Sequence, residues 1–172
     1  MQYQLPSTIA AVAMAALLSA CGGSGSGDTD FENELRSSGA TASVTVSAAG
    51  NAVLNGVYST SDLELNDVTK FNPIGGEPET CRFRFSGLRQ AGTTRMMDGD
   101  IRYIPGTTET RTTFVSIDAV EFRLQGTTGT LVDKPNNRIV YSGAVLTSTA
   151  GTGQTITLSG AIPMRGDRPE GC

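Results

Sequence analysis

Cys81-Arg82-Phe83-Arg84-Phe85 alternates large apolar and charged side chains with a period of two. A helix would scatter the arginines and phenylalanines around its circumference. In a strand, successive side chains point to opposite faces, so the same five residues sort into one apolar and one charged face. The same period runs outward in both directions. Val44 and Val46 alternate with Ser and Thr, and Leu63 and Leu65 with Asp62 and Glu64. Met97, Ile101 and Tyr103 share one parity, as do Ile139, Tyr141 and Val145, and Ile156, Leu158 and Ile162. Turn residues separate the runs: Pro73-Ile74-Gly75-Gly76, Pro105-Gly106, Gly126-Thr127-Thr128-Gly129, Lys134-Pro135-Asn136-Asn137 and Ala150-Gly151-Thr152-Gly153. No stretch after about residue 40 reads as an amphipathic helix. The expectation is an all-β fold: a single antiparallel β-domain over residues 41–172, with eight or nine strands linked mostly as hairpins. Alternation suits a barrel-like meander and a β-sandwich equally.

One run breaks its own phase. In Phe114–Leu124, Val115 and Ile117 share one parity, whereas Val120, Phe122 and Leu124 share the other. The shift falls at Asp118-Ala119. A β-bulge there restores a single buried face; two separate strands are the alternative.

A weak repeat concerns glycine. Phe85-Ser86-Gly87, Tyr141-Ser142-Gly143 and Leu158-Ser159-Gly160 each place Ser-Gly after an aromatic residue or Leu. By parity Gly87, Gly143 and Gly160 fall on the buried face, Gly99 falls with Met97 and Ile101, and Gly56 falls with Leu54 and Tyr58. Glycine within a strand costs about 0.5–1 kcal/mol relative to Ala, so its recurrence calls for a geometric reason. Three reasons are open: sharp coiling of the sheet, which favours a barrel; room for a large neighbouring side chain; or an interior that holds a ligand. In the third case Gly87, Gly99, Gly143, Gly160, Phe83, Phe85 and Tyr141 would face that ligand.

The chain has 172 residues, a net charge of −4, no Trp and no His, and arginine far outnumbers lysine. Mild acidity argues against nucleic acid as a partner. Ile9–Ala20 carries no charge and is too short to span a bilayer as a helix, but suits the apolar core of an export signal. Leu18-Ser19-Ala20-Cys21 follows, then Gly22-Gly23-Ser24-Gly25-Ser26-Gly27. Residues 1–27 resemble a bacterial lipoprotein signal: apolar run, lipobox, flexible tether. Met1–Thr8 departs from that pattern in having no Lys or Arg. The resemblance implies cleavage between Ala20 and Cys21, acylation of the Cys21 sulfur, and acylation of its new amino group. Residues 1–20 are then the signal peptide. Residues 21–40, rich in Gly and Ser and then in Asp28, Asp30, Glu32 and Glu34, form a tether. In this family Asp directly after the cysteine favours the inner membrane. Gly22 is not Asp, which implies a Gram-negative outer membrane, with the domain in the periplasm or at the cell surface. The expected partners are the membrane, through lipid on Cys21, and an envelope protein.

Two cysteines remain, Cys81 and Cys172. In an oxidising compartment the default reading is a disulfide between them. Two free thiols, or a bridge to another molecule, are the alternatives.

The search for chemistry is mostly negative. Without His there is no Ser-His or Cys-His nucleophile pair and no imidazole metal site. No Gly-rich loop leads from a strand into a helix. Asp98-Gly99-Asp100 offers oxygen atoms but lacks the further acidic positions of a calcium loop. The expectation is a non-catalytic protein with no cofactor or metal. Arg82, Arg84, Arg89, Arg95 and Arg102 lie within 21 residues. They read as the solubilising outer face of a sheet, or as a basic surface for lipid headgroups, lipopolysaccharide phosphates or an acidic partner protein. Three functions stay open: a structural or protein-interaction lipoprotein, a lipid or small-molecule carrier with a barrel cavity, and a hydrolase inhibitor by fold-level analogy.

Overall fold

The computed structural model describes residues 41–63, 66–72 and 75–172. The expected signal peptide, Ala20, Cys21 and the tether lie outside the described residues, as do Leu65, Pro73 and Ile74. Ten antiparallel strands are present among the described residues: β1 (Ala42–Ser47), β2 (Gly56–Thr60), β3 (Asp67–Phe71), β4 (Thr80–Gln90), β5 (Met96–Tyr103), β6 (Thr110–Ile117), β7 (Val120–Leu124), β8 (Thr130–Asp133), β9 (Arg138–Ser148) and β10 (Thr155–Pro163). The quoted alternation lies in β4, where Cys81, Phe83 and Phe85 are buried and Arg84 is exposed.

Eight of the strands close a barrel in the order β1-β2-β4-β5-β6-β7-β9-β10, with β10 returning to β1. The two 11-residue strands, β4 and β9, have two partners each on one edge. Tyr58 and Ser59 of β2 pair with Gln90 and Arg89 near one end of β4, while β3 pairs with Thr80–Arg84 at the other. Likewise β7 pairs with Leu146–Ser148 of β9, and β8 with Arg138–Tyr141. At the β3 and β8 end the wall is completed by side chains and isolated main-chain bonds. Asn66 Nδ2 donates to the Pro163 carbonyl at 2.8 Å. Val132 N–H donates to the Thr108 carbonyl at 2.8 Å, and the Thr110 and Thr130 hydroxyls lie 2.7 Å apart.

The phase break at 114–124 is a hairpin rather than a bulge within one strand. Ile117 pairs with Val120, and Asp118 (φ 49°) and Ala119 (φ 65°) form the two-residue turn. Positive φ at both central positions is the turn whose twist matches a hairpin. True bulges occur elsewhere, at two of the Ser-Gly steps. Phe85 pairs with Gly99 but Leu88 with Met97, so β4 carries an extra residue at Ser86-Gly87. Leu158 pairs with Ala144 but Ser159 with Ser142, so Gly143 is the extra residue of β9. Gly87 (φ 77°) and Gly143 (φ 69°) adopt left-handed backbone, and open space surrounds the position a Cβ would take at either. They therefore do not face the core, as simple parity required. The same bulge puts Val145 outside, 52% exposed, and turns Ala144 and Leu146 inward.

The interior is filled. Tyr58, Phe83, Phe85, Tyr103 and Phe122 are buried within the barrel among Val, Ile, Leu and Met side chains. At the β3 and β8 end, residues 164–172 cross the opening. Cys172 bonds to Cys81, with Cα atoms 5.6 Å apart. The Tyr103 hydroxyl donates to the main-chain oxygen of Cys172 at 2.8 Å, and Lys134 Nζ and Gly106 N–H donate to the Gly171 carbonyl at 2.9 and 3.0 Å. At the opposite end a single 3₁₀ turn, Ala52–Leu54, places Leu54 in the core, and the Tyr58 hydroxyl donates to its carbonyl at 3.0 Å.

The outer wall is divided by charge. Strands β1, β2 and β10, and β9 beyond Arg138, carry no charged residue; β3–β8 carry the rest. Because β9, β10, β1 and β2 are consecutive in the ring, one half of the barrel presents a neutral surface of Ser, Thr, Val and Ala.

Two stability predictions arise from this packing. A Cβ at Gly99 would lie 2.2 Å from Phe85 Cε1. Gly99→Ala should therefore destabilise by about 1–3 kcal/mol in denaturant unfolding, as overpacking does, and Phe85→Leu in the same chain should restore part of that loss. Reducing the Cys81–Cys172 bond, which closes 91 residues of separation, should lower stability by up to about 4–5 kcal/mol in the chain-entropy model. Equal unfolding midpoints with and without reductant would remove any stabilising role for the bond.

Candidate functional site

Of the residues predicted to face a ligand, Phe83, Phe85 and Tyr141 are core side chains. The Tyr141 hydroxyl has no hydrogen-bond partner among the described residues, and burial pushes its pKa up. Gly99 makes room for the Phe85 ring. A Cβ at Gly160 would lie 2.2 Å from the Ser43 carbonyl oxygen, so that glycine permits close approach of β1 and β10. Gly87 and Gly143 are bulges. Among the described residues these positions line no interior void.

The Asp98-Gly99-Asp100 carboxylates are both engaged. Asp98 Oδ1 accepts from Ser86 Oγ at 2.6 Å and from Gly87 N–H at 2.9 Å, which fixes the β4 bulge. Asp100 takes two guanidinium groups. Arg82 Nε donates to its Oδ2 at 2.8 Å, with a second, shorter contact from Arg82 Nη2, and Arg102 Nε donates to Oδ1 at 3.3 Å. Strand register explains the need. Arg82 and Arg102 are directly opposite on β4 and β5, a like-charge pairing that destabilises a sheet unless an anion lies between.

These arginines line the wall of a groove of about 520 Å³ on the outside of the barrel. Its other sides come from Phe71 at the end of β3, from Asn72, Glu77 and Pro78 of the β3–β4 connection, and from Thr80, Arg111 and Thr112. The Arg82 guanidinium lies 6.0 Å from the Phe71 ring centroid, within cation–π range. Glu77 pairs with Arg111, and Lys70 with Glu79 at 3.2 Å.

Arg111 reaches this groove because of a third bulge. Arg102 pairs with Thr112 and Tyr103 with Thr110, which leaves Arg111 as the extra residue of β6. By parity it belongs with Thr113, Val115 and Ile117, all buried. The bulge turns it outward, beside Arg82 and Arg102. No local signal in the sequence marks it, and the arginine cluster read from the sequence omits it. Of that cluster only Arg82 and Arg102 line the groove. Arg84 lies 3.9 Å from Asp67, and Arg95 pairs with Asp118 at 3.0 Å at the far end of the barrel.

Partial burial raises the Asp100 carboxyl, but hydrogen bonds and charge from Arg82 and Arg102 outweigh it, so its pKa sits below the ordinary carboxylate value. A carboxyl held lower in the folded state contributes stability that is complete above the unfolded value of about 3.9 and is lost as pH falls through the folded value. Asp100→Asn should thus destabilise by about 1–3 kcal/mol at neutral pH and flatten the acid limb of the stability curve. Urea midpoints measured from neutral pH into the acid range would detect both effects, and an unchanged acid limb would refute the assignment. No protein-family model, curated protein or solved structure matches this chain.

Proposed function

We propose that this chain is a cell-envelope lipoprotein of the outer membrane, cut before Cys21 and held by acyl chains on that residue. Its barrel works without catalysis, by presenting its outer surface to an envelope protein. The observation that supports this best is the filled interior, closed at one end by the tail and at the other by the 3₁₀ turn. With the inside occupied by aromatic and aliphatic side chains, a carrier function that needs an internal cavity gains no support. The outside, by contrast, is differentiated into a neutral half and a charged half with a groove. The Leu18-Ser19-Ala20-Cys21 run supports the anchor, and Gly22 supports the outer membrane.

Expression of the full chain in a Gram-negative host, with fractionation and intact-mass measurement, tests the anchor. The protein should sediment with outer membrane at a mass lacking residues 1–20 and carrying added acyl groups. Cys21→Ala should retain residues 1–20 or appear soluble, without acyl mass. Wild-type protein recovered soluble at an unmodified mass would sink the reading. Crosslinking in the intact envelope tests the partner: a reproducible adduct from the barrel surface is expected, and none would reject it.

A further inference from the structure

We propose that the Arg82–Arg102–Arg111 groove binds a small anion, a carboxylate or phosphate ester attached to a flat apolar group. This deepens the partner-binding reading and rests on it. The charge balance comes first. Three guanidinium groups face two carboxylates, Asp100 and Glu77, which leaves an excess of one positive charge among the described residues at the groove. Donor capacity points the same way. Each guanidinium has five N–H donors. The bonds of Arg82 and Arg102 to described residues come from Nε and Nη2, which leaves Nη1 of both. Thr112 adds a hydroxyl to the same wall, whereas the Thr80 hydroxyl donates to the Pro78 carbonyl at 3.1 Å.

Glu77 holds the place of the ligand. Its side chain is 63% exposed on the β3–β4 connection, and it pairs with Arg111, itself 43% exposed. Exposed ion pairs of this kind contribute little, about 0–1 kcal/mol. An incoming anion that meets Arg111 through two oxygens, with Arg102 and Arg82 beside it, makes stronger charge-assisted bonds than Glu77 alone. Asp100 differs: its side chain is 19% exposed and it separates two opposed arginines, so it stays. The bulge at Arg111 fits this use, since bulges re-aim side chains. The apolar part of the ligand would lie on Phe71, 46% exposed, and on Pro78. A groove of about 520 Å³ accommodates a small molecule or the end of a larger one.

The test uses the full chain purified in detergent, with phenyl phosphate, benzoate and neutral benzyl alcohol as probes in titration calorimetry. Both anions should saturate, and the alcohol should bind at least tenfold more weakly. Arg111→Ala should weaken anion binding about tenfold, and Glu77→Gln should strengthen it several-fold by removing the competitor. Arg95→Ala, at the far end of the barrel, should leave it unchanged, and equal urea midpoints would confirm that the variants fold. Tighter phenyl phosphate points to a phosphate ester as the natural source, tighter benzoate to a carboxylate. No saturation, affinity unaffected by Arg111→Ala, or weaker binding in Glu77→Gln would overturn the proposal. The two readings fail separately. Envelope crosslinks elsewhere on the barrel without anion binding overturn the groove alone, whereas Arg111-dependent anion binding without any envelope adduct rejects the protein partner alone.

Discussion

Two strands, β4 and β9, carry the closure of this barrel. Each runs 11 residues, and the strands along one edge of each run four or five. A short strand cannot pair along the whole of a long one, so each long edge is shared by two consecutive segments of chain. Such a division leaves unpaired main-chain groups where one short strand ends and the next begins. Bulges, the Asn66 side chain and the Thr110–Thr130 contact lie at or near these seams. The ladder is continuous around the ring of eight strands, while β3 and β8 each pair along one edge only and are joined across the gap by those isolated contacts.

The groove is a by-product of the same arrangement. Because β3 pairs along the Thr80–Arg84 end of the β4 edge, the β3–β4 connection starts and ends beside the groove. It brings Glu77 and Pro78 over arginines that arise from three neighbouring strands. Asp100 lets Arg82 and Arg102 coexist at directly opposed positions, and the β6 bulge adds Arg111. The electrostatics of the site are consequences of register.

Much of this was legible in the sequence. Period-two alternation in Cys81–Phe85 and Ile156–Ile162 identified the strands and their inner faces, because burial on one side of a pleat leaves no other pattern. With Cys21 read as a lipidation site, Cys81 and Cys172 stood out as the default internal pair. What parity could not supply was phase. Gly143 and Arg111 each add one residue, and every side chain beyond them changes face, so Val145 read as buried and Arg111 gave no sign of reaching a surface groove. At Asp118-Ala119 the phase shift itself was visible. Its cause was not, because a bulge and a two-residue turn invert the pattern equally. The inward reading of Gly87 failed for the same reason. Gly99 was legible as a need for space, and its large neighbour is Phe85, the last residue of the quoted alternation, on the adjoining strand. The lipobox region lies outside the described residues and rests on the sequence alone.

The Cys81–Cys172 bond also divides the molecule in a topological sense. It makes a covalent loop of β4 through β10 and the tail, and excludes β1, β2 and β3. Yet β1 and β2 are the segment that joins β10 to β4 in the ring. The barrel is therefore a covalently looped sheet into which the N-terminal segment is inserted, tied to the loop by its peptide link into β4 and otherwise by noncovalent contacts. Any mechanical tension arriving through residues before Thr41 acts first on that segment. Its hydrogen bonds to β10 and β4 set how much load the domain bears before it opens, and the loop behind them remains intact.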